Sequence, residues 1–196
     1  VAKYVYDHKI AQKNPLTVET LAGTKTIQLF TENGRVSSAT VNMGKPKLMR
    51  SEIPMIGKET QVIDEKLTVR DGTSFRITCV SMGNPHCVIF VDNFDKINLP
   101  QHGAEIERHK SFPERTNVHF VQIHNSKEVT MKTWERGSGI TLACGTGASA
   151  VCVAGVLNKK TERKILAHLP GGGPELEWSE DGNVYMTGPT TEVFTG

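Results

Sequence analysis

The residue best placed for chemistry is Cys144, which directly precedes Gly145-Thr146-Gly147 at the start of an uncharged run that continues to Leu157. The first N–H groups of a helix have no intrahelical partner, and the helix dipole adds about half a positive charge at that end. Because we expect the run that follows Cys144 to form a helix, we also expect the pKa of the Cys144 thiol to be lowered. A lowered pKa makes the sulfur a better base or nucleophile. The glycines leave the amides uncovered, so we also expect a carboxylate or phosphate to bind there.

Two other interpretations of this segment stay open. A free cysteine beside a buried helix is often only a small hydrophobic residue, and that interpretation suits Cys79, Cys87 and Cys152 better than Cys144. The segment 145–150 also matches the dinucleotide fingerprint G-x-G-x-x-A. No clear strand–helix–strand series surrounds this match and no ribose-binding acid follows the next strand, so its context does not support it.

The elements that must position Cys144 follow from the pattern of the remaining chain. The run 145–157 contains no charged residue, so we expect a helix that is buried on nearly all sides. Turn signals such as Asn33-Gly34 and Asp71-Gly72 separate short strand-like segments. These predict strands at 25–30, 36–43, 61–69, 74–80, 87–91, 118–123, 129–134, 165–169, 176–178 and 184–186, with short helices at 1–9 and 103–110. The sequence therefore predicts an α+β fold in which a mixed β-sheet wraps, barrel-like, around a central buried helix.

Composition argues against several classes of partner. The 196 residues include 23 Lys and Arg and 21 Asp and Glu, a formal charge of +2 that provides no electrostatic reason to expect a nucleic acid. No apolar run approaches the roughly 20 residues that a membrane span needs. The four cysteines and the lack of a secretory segment favour the reducing cytoplasm. No histidine lies at a zinc-like spacing from Cys, Asp or Glu, so we expect no metal.

Several blocks of sequence carry a family resemblance. They are Ser81-Met82-Gly83-Asn84-Pro85-His86-Cys87, Phe112-Pro113-Glu114-Arg115-Thr116-Asn117-Val118, Trp134-Glu135-Arg136-Gly137-Ser138-Gly139 with Ala143-Cys144-Gly145-Thr146-Gly147-Ala148, and Leu169-Pro170-Gly171-Gly172 with Met186-Thr187-Gly188-Pro189. In this order they resemble the conserved segments of the diaminopimelate epimerase family, along nearly the whole chain. The sequence departs from that pattern at Ile140, where many members carry Glu, and at Ser149, where many carry a small residue such as Cys.

The resemblance implies a cofactor-independent epimerase that interconverts LL- and meso-diaminopimelate in lysine and peptidoglycan-precursor biosynthesis, without pyridoxal phosphate or metal. The catalytic residues it implies are Cys144, Glu135 and His86. The substrate-binding residues it implies are Asn84, Asn117, Glu135, Arg136, Gly145 and Thr146.

The resemblance implies a role for each of these residues, and some also have a structural alternative. Asn84 and Asn117 match family residues that hold the distal end of the substrate. The amides of Gly145 and Thr146 would bind the reacting carboxylate, Arg136 the distal carboxylate and Glu135 an ammonium group. His86 would assist the thiol or serve only as a hydrogen-bonded structural residue. The alternatives are an ordinary turn residue for Asn84 and a surface ion pair for Glu135 and Arg136.

Family members have two similar domains with the active site in the cleft between them. On that pattern residues 1–43 would be a remnant of the N-terminal epimerase domain, 44–187 the C-terminal epimerase domain, and 188–196 a segment that returns toward the first. The chain opens without Met and within an apparent helix, so we expect a fragment of a longer protein. Its opening residues resemble the stretch that follows the family's first catalytic motif, C-G-N-G-x-R-C.

Inversion needs one group on each face of the α-carbon, and the 196 residues contain only one of the family's two cysteine motifs. We therefore expect these residues alone to be inactive. We also expect the remnant's exposed apolar surface to favour self-association, which leaves a homodimer open. The alternative functions are another cofactor-independent amino-acid racemase or isomerase of the same architecture, or a non-catalytic binding fragment.

Overall fold

This computed structural model describes residues 1–20 and 23–193. Within these ranges, turn-forming residues divide most of the chain into short strands, and three segments form α-helices. The helices are α1 (Ala2–Asp7), α2 (Leu99–Glu107) and α3 (Gly145–Leu157), and two 3-10 helices cover Arg50–Glu52 and Phe94–Lys96. The strands are β1 (Leu16–Thr20), β2 (Gly23–Glu32), β3 (Arg35–Gly44), β4 (Glu65–Thr68), β5 (Ser74–Ser81), β6 (Pro85–Phe90), β7 (Asn117–Asn125), β8 (Glu128–Glu135), β9 (Gly139–Thr141), β10 (Lys164–His168), β11 (Glu175–Trp178) and β12 (Val184–Pro189).

The strands form one mixed sheet around α3. Their order is β1-β2-β3-β12-β11-β10-β8-β7-β6-β5-β4, with β9 paired to β8. The pairs β6–β7 and β8–β10 are parallel and the others are antiparallel. Residues 147–155 of α3 are all buried, and the helix packs against β5, β6 and β7 on one side and β10, β11 and β12 on the other. The predicted α+β fold with a mixed sheet around a buried helix is confirmed.

The last strand joins the first part of the chain to the rest. β12 pairs antiparallel with β3, where Thr187 lies opposite Thr40 and their hydroxyl oxygens are 2.7 Å apart. Beyond the strand, Nε2 of His8 lies 3.0 Å from Oε1 of Glu192. Residues 188–193 thus contact the first 44 residues. The division into 1–43, 44–187 and 188–196 stays a prediction, and residues 194–196 of its last segment lie outside the described residues.

One helix differs from its predicted position. α2 begins at Leu99 rather than 103, because the Asn98 side chain accepts a hydrogen bond from the N–H of Gln101, 3.2 Å away, and so caps the first turn. Pro100 lies in that first turn, where a proline is tolerated. The helix ends at Glu107 rather than 110. The strands β1 and β9 have no counterpart in the prediction.

None of the helices in the described ranges combines the length and the apolar character that a membrane crossing would require.

Candidate active site

The helix start places the sulfur of Cys144 at the edge of a cavity. Cys144 is the N-cap of α3 with an extended backbone (φ −148°, ψ 97°), and its carbonyl accepts the N–H of Ala148 at 2.8 Å. The N–H groups of the residues between them have no intrahelical partner. Only 9% of Cys144 is exposed, yet it lines a cavity of about 400 Å³ together with Gly145, the glycine-rich segment 171–173 and Met186. The sulfur is therefore buried and still adjacent to an opening.

The structure corrects the expected electrostatics of this sulfur. Burial raises the pKa of the Cys144 thiol above its ordinary value, and the carboxylate of Glu135 raises it further. The N–H of Gly147 and the hydroxyl of Thr146 lower the pKa without outweighing burial. The prediction of a lowered pKa is therefore wrong for the unliganded chain. The helix start favours the thiolate as expected, but desolvation and a neighbouring carboxylate favour the protonated thiol more strongly.

Asn84 and Thr146, which the sequence singles out, meet beside the sulfur. The hydroxyl oxygen of Thr146 lies 3.8 Å from Sγ of Cys144, and it accepts a hydrogen bond of 3.3 Å from the side-chain amide of Asn84. The other atom of that amide, Oδ1, lies 2.9 Å from Nε2 of His86. Asn84 therefore connects the start of α3 to β6, which is a more specific role than that of a turn residue.

His86 continues this contact into the protein interior, where it meets a residue that sequence reasoning missed. Nδ1 of His86 lies 2.9 Å from Nε2 of His119, and Nδ1 of His119 lies 3.0 Å from the hydroxyl oxygen of Thr133. Neither ring has any exposed surface. Burial lowers the pKa of His86 well below its usual range, and it lowers the pKa of His119 to about 3. Both imidazoles are therefore neutral at physiological pH.

Glu135 and Arg136 lie at the end of β8. One oxygen of Glu135 accepts a hydrogen bond of 2.8 Å from the hydroxyl of Thr141 on β9, which fixes the carboxylate near the sulfur. Arg136 is exposed, and its Nη1 donates to the carbonyl of Glu114 at 3.0 Å. The two side chains do not form an ion pair with each other in the described part of the chain, so the alternative of a surface pair is not supported.

The side chain of Asn117 links the backbone of β6 to the backbone at the end of β8. Its amide nitrogen donates to the carbonyl of Pro85 at 2.8 Å, and its oxygen accepts the N–H of Arg136 at 3.0 Å. Only 5% of the residue is exposed. Each polar atom keeps one further hydrogen-bonding capacity, so Asn117 can hold β6 and β8 together and still reach a ligand.

A buried carboxylate that sequence reasoning did not single out holds the turn after β8. Glu107, 1% exposed, accepts the indole N–H of Trp134 at 2.8 Å and the N–H of Gly137 at 3.0 Å. These two bonds lie on either side of Glu135 and Arg136 in the sequence. Glu107 therefore fixes the backbone that presents both charged side chains.

The histidine pair and Cys144 also have the donor types that zinc or copper would bind. One ligand atom each from His86, His119 and Cys144 lies within 4.8 Å of the others, and this group of three is found within the described residues. However, all four ring nitrogens have hydrogen-bond partners in the protein. A metal ion would have to break the contact between the two rings, so we interpret the group as a hydrogen-bonded network.

The other cysteines are remote from this cavity. Cys79 and Cys87 lie opposite each other on β5 and β6 as free, buried thiols, within a separate apolar cluster. Cys152 lies in the middle of α3, where its thiol donates to the carbonyl of Arg163 at 3.5 Å. Burial raises the pKa of Cys152 to about 12. All three have the features of small core residues, as the sequence suggests.

Comparison with known sequences identifies similar proteins over the whole chain. A family model described as diaminopimelate epimerase matches residues 78–193. A protein named diaminopimelate epimerase from Desulfitobacterium hafniense is 49% identical over 195 residues, which cover 100% of this chain and 69% of that protein. A protein of the same name from Methanococcus maripaludis is 47% identical over 197 residues, which cover 100% of this chain and 71% of that protein.

Solved structures share the fold at low sequence identity. A hydroxyproline epimerase from Agrobacterium vitis, with bound trans-4-hydroxy-L-proline, superposes with a TM-score of 0.69 and 15% identity over 96% of this chain and 61% of its own. A probable proline racemase from Agrobacterium radiobacter gives a TM-score of 0.71 and 16% identity, over 96% of this chain and 62% of its own. These similarities show that the architecture is shared, and the chain spans less than two thirds of either structure.

Proposed function

Since the chain belongs to the diaminopimelate epimerase family, we propose that it takes part in the interconversion of LL- and meso-diaminopimelate, with Cys144 as one of two acid/base groups. The observation that carries this proposal is the position of the sulfur. It lies at the N-terminus of an uncharged helix, on the edge of a cavity, with a carboxylate and a hydroxyl beside it. An α-proton is very weakly acidic, so its removal needs both a positioned base and stabilisation of the developing negative charge.

The helix start meets the second requirement. The amides of Gly145 and Thr146 precede the first intrahelical hydrogen bond, which is donated by Ala148, and they can donate to a carboxylate of the substrate. As the α-carbon loses its proton, negative charge spreads onto that carboxylate. Amides that are already in position stabilise this charge without reorganisation.

Glu135 links substrate binding to the state of the thiol. In the free chain its carboxylate raises the pKa of Cys144, which keeps the proton on the sulfur. An ammonium group of the substrate that pairs with Glu135 would neutralise this effect and favour the thiolate. As the thiolate, Cys144 would remove the α-proton in one direction of the reaction, and as the thiol it would donate a proton to the α-carbon in the other.

The distal end of the substrate would meet Arg136. Its guanidinium is exposed, with one nitrogen on the carbonyl of Glu114, and the remaining N–H groups suit a planar carboxylate. Asn84 and Asn117 would support this end through their remaining hydrogen-bonding capacity.

The second acid/base group must lie on the opposite face of the α-carbon. Within the described residues, Cys79, Cys87 and Cys152 are buried away from the cavity. A single thiol would tend to restore the starting configuration, so we propose that a polypeptide of these 196 residues alone does not epimerise diaminopimelate. Four free thiols also support a reducing compartment, the cytoplasm in this proposal. The homodimer stays a prediction.

The test is a chimera. The part of the Desulfitobacterium relative that lies outside its match to this chain is joined to the 196 residues, and the product is incubated with LL-diaminopimelate in D₂O. We expect deuterium at the α-carbon and formation of the meso isomer with the chimera, and neither with the 196 residues alone. Cys144→Ser in the chimera should reduce the rate by about a hundredfold or more.

Two outcomes would contradict the proposal. Inversion by the 196 residues alone would show that a second cysteine motif is unnecessary. A folded chimera that exchanges the α-proton of proline or another amino acid, but not of diaminopimelate, would favour the alternative of a different racemase with this architecture.

A further inference from the structure

A row of polar side chains leads from the interior of the sheet to the sulfur of Cys144. We call this row the polar chain; its members are Thr133, His119, His86, Asn84 and Thr146. Successive members are separated by 3.0, 2.9, 2.9 and 3.3 Å, and the last lies 3.8 Å from Sγ. The first three have at most 3% of their surface exposed, so water does not compete for these contacts at the inner end.

The direction of each hydrogen bond follows from the chemistry of the groups. A neutral imidazole has one N–H and one lone pair. The amide nitrogen of Asn84 donates to Thr146, so its oxygen faces His86 and can only accept. Nε2 of His86 therefore carries the hydrogen, and its Nδ1 accepts. The neighbouring Nε2–H of His119 supplies that bond.

The two ends of the polar chain complete this order. Nδ1 of His119 has only a lone pair left, so it accepts from the hydroxyl of Thr133. At the other end, the oxygen of Thr146 accepts from Asn84, and its own hydrogen is available to donate to Sγ of Cys144 when the sulfur is a thiolate. With Cys144 as the thiolate, all five hydrogen bonds thus point the same way, toward Sγ. Bonds in such a series polarise one another.

The backbone leaves space for the ring of His119 at this point. A Cβ on Gly147 would lie 2.4 Å from Cε1 of His119 and 2.9 Å from Sγ of Cys144. The start of α3 can therefore lie against the imidazole and the sulfur together only because residue 147 has no side chain.

We propose that Thr133 and His119 are positioning residues for the sulfur of Cys144. They fix which ring nitrogen of His86 carries the hydrogen, and through it they aim the hydroxyl hydrogen of Thr146 at Sγ. The inference deepens the proposed function, since it rests on Cys144 as the acid/base group. Neither residue touches the substrate cavity, and both act through the groups between them.

Thr133 allows a test that changes no charge. The titratable or charged groups around the sulfur and the polar chain are Glu135 on β8, which acts on the sulfur, Arg136 at its end, which acts on His86, and the two histidines themselves on β6 and β7. Thr133→Val removes the hydroxyl and keeps the shape, whereas Thr133→Ser keeps the hydroxyl. Both leave every group named here in place.

The experiment measures alkylation of Cys144 by iodoacetamide in the 196-residue chain as a function of pH, with peptide mass spectrometry to assign the modified cysteine. We expect Thr133→Val to slow the reaction at pH 8 by about two- to fivefold, the size of one weakened hydrogen bond. The maximal rate at high pH should not change, and Thr133→Ser should match the unmodified chain. A wild-type profile for Thr133→Val, or an equal loss at all pH values, would overturn the proposal.

A second measurement needs no variant. The nitrogen chemical shifts of the imidazoles in ¹⁵N-histidine protein report which ring nitrogen carries the hydrogen. We expect the Nε2–H form for both His86 and His119. The Nδ1–H form of His86 would reverse the polar chain and refute the inference. Neither readout depends on epimerase activity, so an inactive chimera with the expected profile would count against the proposed function alone.

Discussion

Replacement of Gly147 by alanine tests how closely the site is packed. The added Cβ would lie 2.4 Å from Cε1 and 2.8 Å from Nε2 of His119, and 2.9 Å from Sγ of Cys144. Comfortable carbon contacts are about 3.5–4.0 Å, so these neighbours must move by about 1 Å. His119 is completely buried and hydrogen-bonded on both sides, which prevents a simple rotation away from the methyl group.

The size of the effect follows from two unfavourable contributions and one favourable contribution. Overpacking of this kind costs about 1–3 kcal/mol, and a disturbed imidazole hydrogen bond adds about 1 kcal/mol. The higher helix propensity of alanine offsets about 1 kcal/mol or less of this cost, since residue 147 lies in the first turn of α3. We expect Gly147→Ala to lower the free energy of unfolding by about 2 kcal/mol, or the melting temperature by about 4–8 °C for a chain of this size.

Gly145→Ala provides the matched control. It lies two residues earlier in the same helix, and its added Cβ would meet only Sδ and Cε of Met186, both at 3.3 Å. That flexible side-chain end can shift, so we expect a change within about 0.5 kcal/mol. Urea unfolding followed by circular dichroism compares the two variants. Equal stability of Gly147→Ala and Gly145→Ala, with an unchanged rate of Cys144 alkylation, would refute the packing argument.

Three further variants or conditions test other parts of the structure. Burial holds the pKa of His119 at about 3. As the pH falls through about 6.5, this ring therefore takes up a proton in the unfolded chain but not in the folded chain. The contribution of this ring to the free energy of unfolding should thus be constant above about pH 7 and should fall as the pH drops, by about 1.4 kcal/mol at pH 5.5, measured by urea unfolding. Glu135→Gln removes a charge that raises the pKa of Cys144, so alkylation at pH 8 should become severalfold faster. Gly103→Ala would place a Cβ 2.7 Å from Cβ and Cγ of Trp134, and we expect it to cost about 1–3 kcal/mol in thermal unfolding.

Each of these predictions has a control. His119→Gln should reduce the pH slope of stability, and an unchanged slope would mean that the ring titrates normally. Glu19→Gln, on an exposed position of β1, should leave the alkylation rate unaltered, whereas a slower rate for Glu135→Gln would reverse the assigned sign. A Cβ at Gly188 meets nothing within 4 Å. Gly188→Ala should thus be nearly neutral, and an equally mild Gly103→Ala would contradict the contact with Trp134.

The central helix could be predicted from the sequence because its signal is local. A run of small uncharged residues has one stable arrangement in a soluble fold, and the predicted bounds 145–157 are those observed. Hairpins with Asn-Gly or Asp-Gly turns were predictable for the same reason. The strand β9, with three residues, has no such signal, since it forms only by pairing with β8. The start of α2 depends on the cap at Asn98, which lies before the segment 103–110 that the sequence predicts to be helical.

The inner part of the site was beyond sequence reasoning. His119 and Thr133 lie opposite each other on β7 and β8, 14 residues apart along the chain, and each occupies a position where an inward-facing core residue is equally expected. A polar residue at an inward position of a buried strand is the available signal, because such a group needs a partner. That signal indicates that the side chain has a hydrogen-bond partner, but not which residue the partner is. Only the register of β6, β7 and β8 shows that the two residues reach Cys144.

The prediction of a lowered pKa for Cys144 is wrong because a helix start is only one of the influences on the thiol. The dipole argument considers a sulfur in solvent, where the field of the helix is the main perturbation. In the structure the sulfur is 9% exposed and beside a carboxylate, so burial and Glu135 favour the protonated thiol. In the proposed reaction Cys144 would have to both give and accept a proton, and this balance would favour both steps. A substrate ammonium that neutralises Glu135 would move the proton equilibrium toward the thiolate when the substrate is bound, and the hydroxyl of Thr146 would then stabilise that thiolate. In the free chain the balance favours the protonated thiol.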